Sequence, residues 1–114
     1  MIQRIQPGKR YSEAVIANGL VFLSGMVPDN TDADATAQTA NVLAQIDSLL
    51  QELGLNKSHI VDAIIYLADM ADYNAMNTAW DLWVAEGQAP ARATVEARLA
   101  NPEWKVEIKV TAAL

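Results

Sequence analysis

The sequence predicts an α+β fold in which two amphipathic helices lie on one face of a mixed β-sheet. Three observations lead there. Two stretches repeat apolar residues every three or four positions, as a helix packed on one side does. Several short stretches alternate apolar and polar residues or run β-branched, the mark of strands. Their order is β-β-α-β-α-β-β, and two apolar helix stripes are covered most simply by one face of a single sheet.

Taken in order, the opening run Ile2 to Ile5 is compatible with a short strand. Val15-Ile16-Ala17, Asn18-Gly19 and Leu20-Val21-Phe22-Leu23 read as a hairpin, because Asn-Gly tolerates the positive φ of a two-residue turn. Gly25, just beyond, predicts a bulge or a close backbone approach, and Pro28 stops regular pairing. Asp29 to Asp34 is loop-like and supplies candidate N-caps. From Thr36 to Leu53 the stripe Val42-Leu43, Ile46, Leu49-Leu50, Leu53 predicts the first helix, which Gly54 ends. Ile60 to Leu67, short and β-branched, reads as a central strand. Asp72 is the expected cap of a second helix with the stripe Tyr73, Met76, Trp80, Trp83-Val84, fading at Gly87.

The segment from Pro90 to Ala112 holds two alternating runs around Asn101-Pro102, expected to form a terminal hairpin. Arg92, Thr94 and Glu96 fall on one face of the first run. Glu107, Lys109 and Thr111 alternate with Val106, Ile108 and Val110 in the second. The polar row of the first run either faces water or walls a small charged pocket. Apolar residues occur on more than one side of several strands, so one sheet face is expected to be covered by other subunits.

A length of 114 residues bounds the chain to one domain, spanning 1–114, and 52% apolar residues make it globular. No run reaches the length of a membrane span, and the N-terminus lacks the apolar core of a secretory signal, so a cytoplasmic location and no membrane partner are expected. The absence of cysteine excludes disulfides and thiolate chemistry. A net charge of -6 with scattered basic residues argues against nucleic acid as a partner. His59, the one histidine, sits beside Ser58 at a strand start and reads as a capping or surface residue, with no second histidine or cysteine for a metal shell. Trp80, Trp83, Met76 and Tyr73 fit the helix spacing and read as core.

The terminal segment resembles the RidA/YjgF family of reactive-intermediate (enamine/imine) deaminases. Pro90-Ala91-Arg92-Ala93, Val95, Arg98 and Val106-Glu107-Ile108 follow that family's pattern in order and spacing. Tyr11-Ser12-Glu13-Ala14-Val15, Ser24-Gly25-Met26-Val27-Pro28 and, at the start of the second helix, Asp72-Tyr73 through Asn77 resemble it elsewhere. The resemblance implies a chorismate-mutase-like α+β fold and a homotrimer with clefts between subunits. It also implies cofactor-free hydrolysis of 2-aminoacrylate-type enamines and their imines to 2-keto acids and ammonia, with a small 2-imino or 2-keto acid as the molecular partner.

By that resemblance Arg92 binds the substrate carboxylate, which suits a rigid guanidinium fork. Glu107 handles protons, as a carboxyl group can deliver one and then activate a water. Read without the resemblance, Arg92 is a solvated strand residue or one paired to Glu96 or Glu107, and Glu107 is a polar edge residue. Glu96 is the rival carboxylate, with an orienting or structural role. Tyr11, Ser24, Gly25 and Thr94 are the remaining candidates for substrate binding. Thr94 stands where many relatives have cysteine. Lys9-Arg10, Glu13 and Met26 also depart from the family's usual residues, which bears on the cleft and not on the fold. Two further readings stay open: a binding module that holds a small carboxylate without turnover, and an endoribonuclease or translation inhibitor, against which the net acidity argues.

Overall fold

The computed structural model describes residues 1–114. The strands are β1 (Gln3–Pro7), β2 (Ser12–Ala17), β3 (Leu20–Leu23), β4 (Ile60–Leu67), β5 (Ala91–Glu96) and β6 (Val106–Ala113). The helices are α1 (Ala35–Glu52) and α2 (Tyr73–Trp83). The strands form one six-stranded sheet in the order β1-β2-β3-β6-β4-β5, and only the β4–β5 pair is parallel.

Local sequence explains most boundaries. Asn18 and Gly19 take φ of 52° and 75° and turn β2 back into β3. The Asp34 carboxylate accepts from Ala37 N at 2.9 Å and caps α1. At the other end Gly54 (φ 75°) lets Leu55 N reach Leu50 O and Gly54 N reach Gln51 O, the paired bonds of a Schellman stop. His59 Nδ1 lies 3.2 Å from Asn56 N, so the histidine caps the short turn before β4, as expected.

Both helices cover one sheet face. Val42, Leu43, Ile46 and Leu50 of α1 and Met76 and Trp80 of α2 close over Val21, Leu23, Ala63, Ile65, Leu67, Val106, Ile108 and Val110. The opposite face has no helix over it. Phe22 is 39% and Val95 42% exposed there, with Ile64 and Tyr66 half-buried.

Two expectations are corrected. Three strands, not two, precede α1, because the opening run pairs with β2 from Gln3↔Ile16 to Pro7↔Ser12. The terminal runs also do not form a hairpin, since β4 lies between β5 and β6. Alternation fixes which residues share a face, but not which strand lies next door. Here α2 carries the chain from β4 over to β5 on its outer side, a β-α-β crossover that makes the pair parallel. The link from Ala97 to Lys105 then straddles the end of β4. Ala97 N donates to Leu67 O (2.9 Å) and Ala68 N donates to Lys105 O (3.0 Å).

That link is held from α1 by Gln38, which is fully buried. Its amide nitrogen reaches the carbonyls of Thr31, Ala33 and Glu103, and its Oε1 accepts from Lys105 N at 2.8 Å. One side chain thus ties the loop before α1 to the segment entering β6. Gln38→Ala orphans these groups together and is expected to cost about 2–4 kcal/mol, read as a lower urea midpoint at unchanged m-value.

Candidate functional site

The register assigns each candidate to a face. Ala63 of β4 is paired with both Arg92 and Val110, so Arg92 points into the helix layer. Tyr66 is paired with both Val95 and Glu107, so Glu107 points to the uncovered face. Within one chain the sheet therefore separates Arg92 from Glu107. Arg92 and Glu107, given to one substrate by the resemblance, do not meet within a single copy, because they are level with Ala63 and Tyr66, which leave β4 on opposite faces.

The first group surrounds Arg92 on the edge strand β5. Its Nη1 donates to Asn77 Oδ1 at 2.8 Å and its Nη2 to the Tyr73 hydroxyl at 3.3 Å. The guanidinium carbon lies 5.1 Å from the Trp80 ring centre and 5.9 Å from that of Tyr73. Tyr73, Asn77 and Trp80 are spaced to share one stripe of α2, which meets β5 there. None of these partners carries a negative charge. The guanidinium is half-buried, oriented and not neutralised by them, and only two of its five N–H donors are used in these bonds. Thr94, two residues on and on the same face, has a buried Oγ1 with no hydrogen-bond partner.

The rival carboxylate Glu96 is engaged elsewhere. It accepts from Met70 N at 2.9 Å and secures the turn before α2. Arg92 is therefore neither a solvated residue nor a partner of Glu96 or Glu107. Of the residues that the spacing places in the core, Met76 and Trp80 do lie there, Trp80 also presenting its ring to the guanidinium, whereas Tyr73 is 39% exposed beside Arg92.

The second group lines a cleft of about 400 Å³ on the opposite face. Tyr11, Ser24, Gly25 and Glu107 meet there, joined by Val27, Trp104 and Lys109. Glu107 is half-buried, and Tyr11 is 64% exposed at the rim. Gly25 explains how the glutamate fits. A Cβ at that position would overlap Oε2 of Glu107 and sit 3.1 Å from its Cδ, so the carboxylate packs where a side chain would otherwise stand. The expected close backbone approach at Gly25 is thus to Glu107.

This bulge interrupts the β3–β6 ladder, which runs to Phe22↔Thr111 and resumes as a single bridge at Met26↔Ile108. Ser24 N donates to Glu13 O and Met26 N to Ile108 O, leaving the Gly25 N–H as the one of the three not spent on the backbone. Lys109 Nζ donates to Leu23 O within the same gap.

Sequence reasoning assigned no role to Asn77, Trp104 or Lys109. The i, i+4, i+7 spacing of Tyr73, Asn77 and Trp80 was a usable signal once a cation on the facing strand was suspected. Lys109 was legible as the next residue on the Glu107 face. No cluster of histidine, aspartate or glutamate side chains is arranged to hold a metal ion. No helix is long and apolar enough to cross a membrane.

A family model described as endoribonuclease L-PSP matches residues 1–114. The RutC family protein YoaB of Escherichia coli is 56% identical over 113 residues, spanning 99% of this chain and 98% of that protein. A YjgF family member from Neisseria meningitidis has a crystal structure with a TM-score of 0.95 and 62% identity, covering 99% of this chain and 94% of the other. A Rid family protein from Yersinia pestis, 28% identical, superposes with a TM-score of 0.90 over 100% of both chains. The neighbours share the architecture of two helices on a six-stranded sheet, and the chain belongs to the endoribonuclease L-PSP family, whose relatives carry the RutC and YjgF names.

Proposed function

We propose that the protein hydrolyses small 2-imino acids and their enamine tautomers to 2-keto acids and ammonia, in clefts that form between copies of the chain. The observation that carries this reading is the Arg92 clamp. A half-buried cation held by neutral groups alone, Asn77, Tyr73, Trp80 and the Met76 sulfur, costs solvation free energy and gains no intramolecular counter-charge. A planar carboxylate repays that cost through two parallel N–H bonds. The orphaned Thr94 hydroxyl lies on the same face and offers a further bond to the bound acid.

The opposite-face cleft supplies the complementary chemistry. With the substrate carboxylate on Arg92 of one copy, Glu107 of a neighbouring copy stands at the reacting carbons. Its acid form protonates the terminal carbon of the enamine and gives the iminium. Its carboxylate form then takes a proton from water as the oxygen adds to the iminium carbon. Transfer of that proton to nitrogen, and return of the hydroxyl proton to the Glu107 carboxylate as the C=O bond forms, break the C–N bond, release ammonia and the 2-keto acid and restore the acid form of Glu107. The exposed apolar sheet face with Phe22 and Val95 supports association of copies, in a closed ring of three by the family resemblance.

A ribonuclease reading lacks support from the site. Phosphodiester backbones are held by several cations, and the net charge is -6 with one arginine in the first group and one lysine in the second.

The test generates 2-aminoacrylate in place from serine with a dehydratase and follows pyruvate release on adding the purified protein. Acceleration is expected. Arg92→Ala should lower kcat/KM by about 2–5 kcal/mol, roughly thirty-fold to several thousand-fold, and abolish 2-keto acid binding. Glu107→Gln should remove turnover while keeping that binding. Binding with no acceleration by the unmodified protein would establish a carboxylate-holding module instead. Gly25→Ala should depress kcat more than it raises KM, since it displaces the Glu107 carboxylate and leaves the Arg92 clamp intact.

A further inference from the structure

Glu107 and Lys109 are neighbours on one strand face, about 7 Å apart along β6 at the rise of an extended chain. Both line the cleft with Tyr11, Ser24 and Trp104. The Lys109 ammonium is drawn to Leu23 O, the carbonyl at the point where the β3–β6 ladder breaks. That bond holds a flexible side chain at the cleft and uses one of its three donors. The reaction proposed above assigns the substrate's own carboxylate to Arg92 and its protons to Glu107. It leaves the charge of Lys109 without a task.

The cleft of one copy is lined by both Glu107 and Lys109, so it has room on the lysine side of the reacting carbon. A substrate whose side chain extends from the reacting carbon toward Lys109 fills that space. The group at its end that an ammonium recognises is an anion.

Resting on the imine-hydrolase reading, we propose that Lys109 is a specificity-determining residue that selects 2-imino acids bearing a second, distal carboxylate. The substrate class is the 2-imino dicarboxylic acids, such as those formed when an acidic amino acid is oxidised at its α-carbon. Water adds at the iminium carbon and ammonia leaves, as for the simpler acids, so the products are a 2-keto dicarboxylate and ammonia.

The experiment generates imines of aspartate or glutamate and of alanine in parallel with amino-acid oxidases, and measures kcat/KM for each. Calorimetric binding of the corresponding 2-keto dicarboxylates and of pyruvate reads the same preference without turnover. The dicarboxylates are expected to be preferred. Lys109→Met should lower the dicarboxylate-to-monocarboxylate ratio roughly 10- to 100-fold, Lys109→Glu further, and Lys109→Arg should restore most of it. An equal fall for both classes, or no preference in the unmodified protein, overturns the proposal and leaves the imine-hydrolase reading standing. Lys109-dependent preference in binding with no turnover of either class upholds the selectivity and overturns the reaction.

Discussion

Strand β4 lies between β5 and β6, and the rest of the site follows from that placement. Each residue of β4 is paired on both sides, so its alternation dictates the face of its two neighbours together. Arg92 is level with Ala63 and goes under α2. Glu107 is level with Tyr66 and goes to the uncovered face. A one-residue slip on either side of β4 would bring both side chains to one face, and would also turn Val106, Ile108 and Val110 or Ala91, Ala93 and Val95 the wrong way. Burial of Val106 and Ile108, both fully inaccessible, holds the register against that slip. The hydrophobic core thereby keeps the cation and the carboxylate apart in each chain.

Each half of the proposed chemistry has its side chain already oriented within one copy. Arg92 is oriented from α2 by an amide, a phenol and an indole, so it loses little freedom on binding an anion. Glu107 is seated against the bare backbone of Gly25, and the segment leading into its strand is fastened to α1 by Gln38. The two halves share no side chain. Damage to one is expected to leave the other in place, so the proposed binding and turnover are expected to separate on substitution.

Much of this was legible in the sequence, for identifiable reasons. The β2–β3 turn, the α1 caps, the helix stripes and the central strand rest on local geometry that one stretch of chain determines by itself. The close approach at Gly25 was also legible, since glycine after a strand has few other uses. The neighbour relations of β5 and β6 were not. They depend on where α2 delivers the chain, a long-range outcome that alternation does not encode. Tyr73 reads as core and is not, because the stripe of a buried helix and the stripe facing a strand arginine have the same period; Trp80 serves both, buried in the core with its ring against Arg92. Tyr11, Ser24 and Gly25 do converge on Glu107, while Thr94 stays with Arg92.

The central claim is that one copy's arginine meets another copy's glutamate. Mixing two inactive variants, Arg92→Ala and Glu107→Gln, tests it directly after joint unfolding and refolding. In a ring of copies with random assortment, about one cleft in four unites an intact arginine with an intact glutamate. Pyruvate release at roughly a quarter of the unmodified rate is therefore expected from an equal mixture. A mixture as inactive as either variant alone, with co-assembly verified by mass, would show that no such cleft exists and contradict the account.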